Sequence, residues 1–458
     1  MIFLLACNEM PEPSGSIDED KPRVVVITDM THDDDNSLIR LLHYSHMFDM
    51  EAIIVTPQLP DFEYDSDVPW EKTMEILEAY NEILPNLLRH HDGFPSYEDL
   101  LAVTKRGQGA LPILWQTEDQ QFDDWIGDGT TPDGVSKDSE GSDFLQEVFA
   151  ADDDRPIFVQ LWGGPIPFVQ ALVRYRENVS EVEFQELLDK LHVYSIHLQD
   201  MTIDYMIDLD LLREKECGGF NMGSAVSTFD GERVEPNWFV WDHGHFWAYI
   251  SVITPEEVHG HSPLADLYDD GGEGDTPAFL YLISAMKGLN DPLQPTQGSW
   301  GNMFAPMSSP FPDGYYHTCL QPNDELMRWI DHAKNSFMAR LQWGENDPED
   351  VNHAPVTVLN GDKGHRPIYI EAAPGEQIEL NASGSYDPNG GELSFNWFHY
   401  HQADSYGHQI ELESPSQAMI TFRVPDDIAD SEIHLVVEVQ DTGEPVLTSY
   451  RRVIIKEH

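Results

Sequence analysis

The sequence predicts an α/β domain, a mainly parallel sheet flanked by helices, followed by a small all-β immunoglobulin-like sandwich. Three observations predict it. From Arg23 to about Trp343, short apolar runs alternate with helical spacing, the pattern of parallel strands joined by crossover helices. After Gly344 a polar stretch from Asn346 to Pro355 interrupts that pattern. From Val356 onward, strand-like segments recur about every ten residues, split by Gly, Pro and Asp turns. The expected divisions are an N-terminal segment and linker over 1–22, the α/β domain over 23–345, a linker over 346–355 and the sandwich over 356–458. With 458 residues, 40 % hydrophobic and 11 % aromatic, the chain can build both cores.

The elements follow in order. Val24 to Thr28, Ala52 to Thr56, Ile157 to Leu161 and His192 to Ile196 are apolar runs of the kind that strands buried on both faces require. Asn36 to Tyr44 puts Leu38, Leu41 and Leu42 on one helical stripe, and Trp70 to Leu84 does the same with Met74, Leu77 and Ile83. Phe144 to Phe149 and Phe168 to Tyr175 repeat the spacing. Pro322, with Asp324 and Glu325 behind it, opens a last helix through Leu326, Trp329, Ile330, Ala333, Phe337 and Leu341. Sandwich strands are expected at Ile368 to Ala372, Gln377 to Asn381, Leu393 to Tyr400, Ala418 to Arg423, Ile433 to Gln440 and Tyr450 to Lys456.

Charge narrows the function. Lys and Arg number 25 against 83 Asp and Glu, a net charge of −58. Such a surface repels polyphosphates and anionic headgroups, which argues against nucleic-acid polymers and membrane-surface electrostatics. It favours cations and solubility in salt. Cys7, Cys217 and Cys319 form neither a disulfide framework nor a zinc spacing. Cys7 ends the run Ile2 to Ala6, which resembles a bacterial lipobox, and a Pro/Ser/acid-rich spacer follows from Asn8 to Asp20. The expectation is a lipid-anchored bacterial envelope or extracellular protein, with membrane contact only through Cys7. The apolar run is shorter than the roughly seven residues of an export signal, so either the true start lies upstream or the match is a coincidence.

Asp29-Met-Thr-His-Asp33-Asp34-Asp35 sets four carboxylates directly after a buried strand and before a helix, where open α/β sheets bind ligands. A helix cap needs one carboxylate or two. Four crowded anions repel one another unless a divalent cation relieves them, and an all-oxygen donor set suits Ca2+, with Mg2+ second.

The spacing Asp29-x3-Asp33-Asp34 after a strand resembles the N-terminal aspartate motif of inosine–uridine-type nucleoside hydrolases. Val25 to Ser45, Trp162-Gly163-Gly164-Pro165, Tyr194-Ser195-Ile196 and Gly274 to Leu282 are similar, more closely, to the bacterial family named for a cellulose-binding protein with a nucleoside-hydrolase-like domain. Leu380 to Trp397 resembles the turn-then-strand of PKD-like and cadherin-like sandwiches, and the likeness spans everything after about residue 22. The resemblance implies a nucleoside-hydrolase-like sheet and calcium-dependent hydrolysis of an N-glycosidic or related glycosidic bond.

It also implies roles. Asp29, Asp34, Asp275 and the Trp162 backbone carbonyl would be metal ligands. Asp29 would be the base that takes a proton from water held by the cation. Asp33 would bind sugar hydroxyls, and Glu235-Pro-Asn237 matches the sugar-binding segment. Three departures stand out: Met30-Thr31 replaces Pro-Gly, Gly274 stands where many relatives have His, and Thr56-Pro57-Gln58 lacks an Asn that binds ribose. The proton donor to the leaving group is therefore unassigned; His32 is a candidate or a simple charge partner. Expected partners are a small sugar or nucleoside, or a polysaccharide; relatives of this fold commonly self-associate, which makes a homo-oligomer a further expectation that the sequence itself does not decide.

The alternative is a non-catalytic, cellulose-binding envelope protein on the same scaffold, binding through Trp238, Trp241, Trp247 or the sandwich. Asn237 to Trp247 reads as a stacking platform, a pocket wall or core. His90-His91 suits a helix C-terminus. Asp387-Pro-Asn-Gly-Gly reads first as a turn and second as a weak calcium site.

Overall fold

The computed structural model describes residues 21–31, 33–57, 67–108, 122–126, 137–215, 227–242, 252–318 and 324–458. Cys7 and its spacer, His32, Gln58, Cys217, Cys319, Pro322 and the stretch 243–251 with His243, His245 and Trp247 lie outside them.

The large sheet contains β1 (Arg23–Thr28), β2 (Asp49–Val55), β3 (Thr104–Arg106), β4 (Ile157–Leu161), β5 (Leu191–Ile196), β6 (Trp238–Asp242), β7 (Ala305–Pro306) and β8 (Tyr315–His317). Their order is β3-β2-β1-β4-β5-β6-β8-β7, parallel throughout except β7 against β8. Because β1 lies between β2 and β4, the chain leaves it first to one side and later resumes on the other. The crevice at the carboxyl ends of β1 and β4 is thus the topological switch point, where ligands bind in this class of sheet.

Every residue of β1, β4, β5 and β6 is buried. Successive side chains point to opposite faces. Val24 and Val26 join one core with Leu38 and Leu41, while Val25 and Ile27 join the other with Leu161 and Phe168. Helix α1 (Asp33–Leu42) starts earlier than its apolar stripe because the aspartates themselves form its first turn. Helix α2 (Val68–His90) runs on beyond Leu84, with Pro85 inside it. Helices Glu140–Phe149, Ile166–Asn178, Glu181–Lys190, Pro277–Met286 and Asp324–Trp343 complete the layers. Ser139 and Ser180 start two of them with capping boxes. Strand β6 corrects the stacking-platform reading: Trp238 and Trp241 are 3 % and 2 % exposed and belong to the two cores.

The C-terminal unit contains β9 (Ile368–Ala372), β10 (Gln377–Asn381), β11 (Ser394–His399), β12 (Met419–Arg423), β13 (Glu432–Gln440) and β14 (Thr448–Glu457). The sheet β11-β13-β14-β9 faces the pair β10-β12 across a shared core of Leu380, Trp397, Ile420, Phe422, Leu435 and Val453. Asp387 closes a turn by accepting from the backbone N–H of Asn389 and Gly391, each at 2.8 Å.

The polar linker is not a loose spacer. Val351 and Asn352 are buried, and Asn352 Nδ2 donates to Asp441 at 2.9 Å and to the Pro445 carbonyl at 2.8 Å. Tyr400 and Tyr450 of the sandwich enter the core of the large domain beside Trp300 and Trp329. Arg452, fully buried, donates to the carbonyls of Leu289 at 2.6 Å and Gln297 at 2.8 Å. No described helix is long and apolar enough to cross a membrane.

Candidate metal and sugar site

The site begins where β1 runs out. Its Thr28 hydroxyl donates to Asp34 Oδ1, which also accepts from the Asp29 amide at 3.2 Å. Asp29 Oδ1 accepts from Thr31 twice, from the amide at 3.1 Å and from the hydroxyl at 2.6 Å. Between them Met30 adopts a left-handed backbone, φ 54°, with its side chain buried. Asp35 points to α2 and pairs with Lys72 at 2.5 Å.

β4 supplies the facing wall. The amides of Trp162 and Gly163 both donate to the Ile27 carbonyl, at 2.8 and 3.0 Å. A Cβ on Gly163 would lie 2.8 Å from the Asp29 backbone nitrogen, so only glycine lets the two strand ends come this close. The Trp162 carbonyl accepts from Gln199 Nε2 at 2.9 Å, while its indole is buried beside Phe279.

Asp275 arrives from far along the chain and is placed by three braces to α1. Asn36 donates to the Gly272 carbonyl at 2.8 Å and accepts from the Asp269 amide at 2.9 Å. Thr276 donates to Ser37 at 3.1 Å. Arg40 forms a fully buried ion pair with Glu273 at 2.5 Å and donates to the Ala333 carbonyl at 2.8 Å. As a result, ligand-type oxygens of Asp33, Asp34 and Asp275 lie within 4.8 Å of one another, all buried, with Asp29 beside them.

Crowding shows in the acidities. Burial first, then the charge of Asp34, holds Asp29 and Asp33 well above the usual carboxylate range. Asp34 itself is pushed up to about 6 by burial, against the pull of the Thr28 hydroxyl and backbone amides. Asp275 is raised by burial and then by Asp34, Asp33 and Asp29 in turn. Asp33 Oδ2 and Asp275 Oδ1 are buried with no hydrogen-bond partner. Buried anionic oxygens left unpaired are costly, and hard oxygen donors without His or Cys fit Ca2+ or Mg2+.

The sequence reading is therefore redistributed. Asp33, expected only on the sugar, stands inside the tight carboxylate group with Asp34 and Asp275. Asp29, expected as a ligand, flanks that group and is coupled to it electrostatically. Glu235 and Asn237 are not part of it: both are exposed, and Asn237 precedes β6 at the amino edge of the sheet, where its amide donates to the Leu188 carbonyl and its side chain to Asp189. The Glu-x-Asn spacing could not reveal which edge it would occupy. Asn36, Gln199 and the Arg40–Glu273 pair were missed. Only Asn36 carried a signal, standing immediately after the aspartates.

Residues 23–304 match the family described as "Cellulose-binding Sde182, nucleoside hydrolase-like domain", and residues 377–457 match "Cellulose-binding protein Sde0182, C-terminal domain". Among solved structures, the chain is similar to a nucleoside hydrolase-related hypothetical protein from Saccharophagus degradans that is associated with carbohydrate metabolism. The two share 27 % identity and a TM-score of 0.77 over 96 % of this chain and 100 % of that one. No curated protein matches. The chain belongs to the cellulose-binding Sde182 family, with a nucleoside-hydrolase-like domain and the family's C-terminal domain.

Proposed function

We propose that the chain is a Ca2+-dependent hydrolase of N-glycosidic or related glycosidic bonds. One observation carries the reading: Asp33, Asp34 and Asp275, from segments about 240 residues apart, converge in a buried group with unpaired oxygens at the switch point of the sheet. Those three residues, joined by the Trp162 carbonyl that the family resemblance names, would hold the ion. When bound, Ca2+ supplies a Lewis acid and a docking point for sugar hydroxyls.

The chain's own residues do the rest. Asp29, fixed by the two Thr31 hydrogen bonds, accepts a proton from the attacking water. Its buried, crowded setting makes its carboxylate more basic than an exposed one. Glycosidic cleavage passes through an oxocarbenium-like sugar, and the negative potential of the carboxylate group stabilises that positive charge.

A second reading is cellulose binding without turnover. It is favoured by the family description and by Gly274 and Thr56-Pro57, which stand where the hydrolase pattern has groups that serve the substrate. Acylation at Cys7 would put either version at the cell envelope, which labelling with a fatty acid in a bacterial host tests.

A panel of nucleosides and aryl glycosides, assayed with and without chelator on wild type and Asp29→Ala, decides between the readings. Hydrolysis that disappears on chelation and falls at least a hundredfold in Asp29→Ala is expected. Activity surviving both treatments rejects the mechanism; no turnover with retained cellulose binding selects the second reading.

A further inference from the structure

The large domain covers only part of the sandwich face that docks on it. On that face Val436 and Tyr450 enter the large core, and Arg452, opposite Val436, bonds two carbonyls of the large domain. Further along β13, His434 and Glu432 share the face and emerge from the contact. Together with residues between 294 and 306 of the large domain they line a cavity of about 510 Å3, which lies between the domains at the β7 edge of the large sheet.

Its polar groups are few and held in fixed directions. Gln297 is 5 % exposed, and its Oε1 accepts from the Asp291 amide at 2.9 Å. A backbone N–H can only donate, so Nε2 is the free end of the amide, a donor with no partner among the described residues. His434 Nδ1 lies 2.9 Å from Arg452 Nη1, which also can only donate, so Nε2 carries the hydrogen; it meets Glu432 Oε2 only at 3.4 Å. Burial, then Arg452, lowers the His434 pKa to about 4, so the ring is neutral at pH 7. Glu432 is neutralised by Lys456 at 2.6 Å, and Asp404 keeps its carboxylate buried against His399. The cavity thus offers two donors and an acceptor without surplus charge.

Met303 and Phe304 add an apolar strip. Oriented hydrogen-bonding groups beside apolar surface suit a neutral, polyhydroxylated ligand. An anionic polysaccharide would meet a chain of net charge −58. Across the sheet, His434 pairs with Ile454 and Ile454 with Tyr369, so Tyr369 shares the face two strands away, about 10 Å from His434. Its ring is 55 % exposed and lies 5.8 Å from the same Lys456, presenting a flat apolar surface of the kind sugar rings stack on. None of the described tryptophans is exposed, so they offer no broad platform for a crystal face.

We propose that this inter-domain groove binds a single β-glucan chain, with Gln297, His434 and Glu432 taking its hydroxyls and Tyr369 stacking on a sugar ring. The assignment rests on the cellulose-binding reading and adds where the polymer is held and in what form: loose single chains rather than crystal faces.

The test is isothermal titration of the full chain with cellohexaose, together with retention on amorphous and on microcrystalline cellulose. Saturable binding of the hexaose and retention on amorphous cellulose are expected, both unchanged by chelator because the aspartate group lies elsewhere. Gln297→Glu keeps the acceptor for Asp291 and removes the donor; affinity should fall about tenfold. Tyr369→Ala, at an exposed position that the fold does not need, should lose about as much, while Tyr369→Phe stays within about twofold of wild type. Tyr386→Ala, at a tyrosine exposed elsewhere on the sandwich beside Lys363, should bind as wild type does. If wild type binds and either Gln297→Glu or Tyr369→Ala binds equally well, the groove is overturned while cellulose binding stands. Retention on microcrystalline cellulose alone also overturns it. No binding to any of the three glucans removes the groove and the cellulose-binding reading together.

Discussion

At the scale of single residues, Asp275 shows what crowding carboxylates costs the fold. Its folded-state acidity is shifted upward, so its ionised form destabilises the metal-free fold; that stability is fully present below the unfolded value and is lost as pH rises through the folded one. Asp34, pushed to about 6, acts in the same direction. His43, His192 and His434, lowered by burial to about 4, act oppositely, losing stability as pH falls. A single pH profile therefore mixes both, and a difference separates them. In chelator, Asp275→Asn should melt a few degrees above wild type at pH 7.5, with the gap closing toward pH 4. Adding Ca2+ should raise the melting temperature of wild type and leave that of Asp275→Asn nearly unmoved. A variant that melts lower than wild type at pH 7.5 in chelator would show that the aspartates are not in mutual repulsion.

At the scale of elements, β1, β4 and α1 form a frame whose tolerances are small. Gly163→Ala puts a methyl 2.8 Å from the Asp29 nitrogen, against backbone that cannot swing away. A loss of about 1–3 kcal/mol is expected, with Ca2+ affinity reduced at least tenfold, read by urea unfolding and calorimetry. The Arg40–Glu273 pair is the other brace. Arg40→Ala strands a buried carboxylate and should cost about 3–5 kcal/mol, whereas replacing both partners with Met should cost clearly less. Equal losses in the single and double variants would mean that the pair braces nothing. The frame was partly legible: β1 and β4 are unbroken apolar runs, and the aspartates announce the start of α1. The braces were not, because Arg40 and Glu273 stand 233 positions apart and meet only once the chain between them has folded.

At the scale of the whole molecule, the sandwich is docked rather than tethered. Arg452 is buried between domains and bonded to two carbonyls of the large domain and to His434. Arg452→Ala leaves those groups unpaired, so differential scanning calorimetry should resolve two transitions where wild type shows one. A single, merely shifted transition would show that the domains are coupled by the aromatic interface alone. From the sequence alone come the two-domain order, the strand periodicities, the acidic composition and the one segment where carboxylates crowd at a strand end, since each depends on neighbours a few residues apart. The same local reasoning left β6 open between a platform, a pocket wall and core and gave the linker no buried residues, because a continuous apolar run and a polar run do not say what will cover them. Asp275 was named beforehand only through the family resemblance; how close it comes to the aspartates, which braces hold it there and which edge of the sheet Asn237 occupies were decided by tertiary structure, for the physical reason that these are distances through space that strand order and domain docking set.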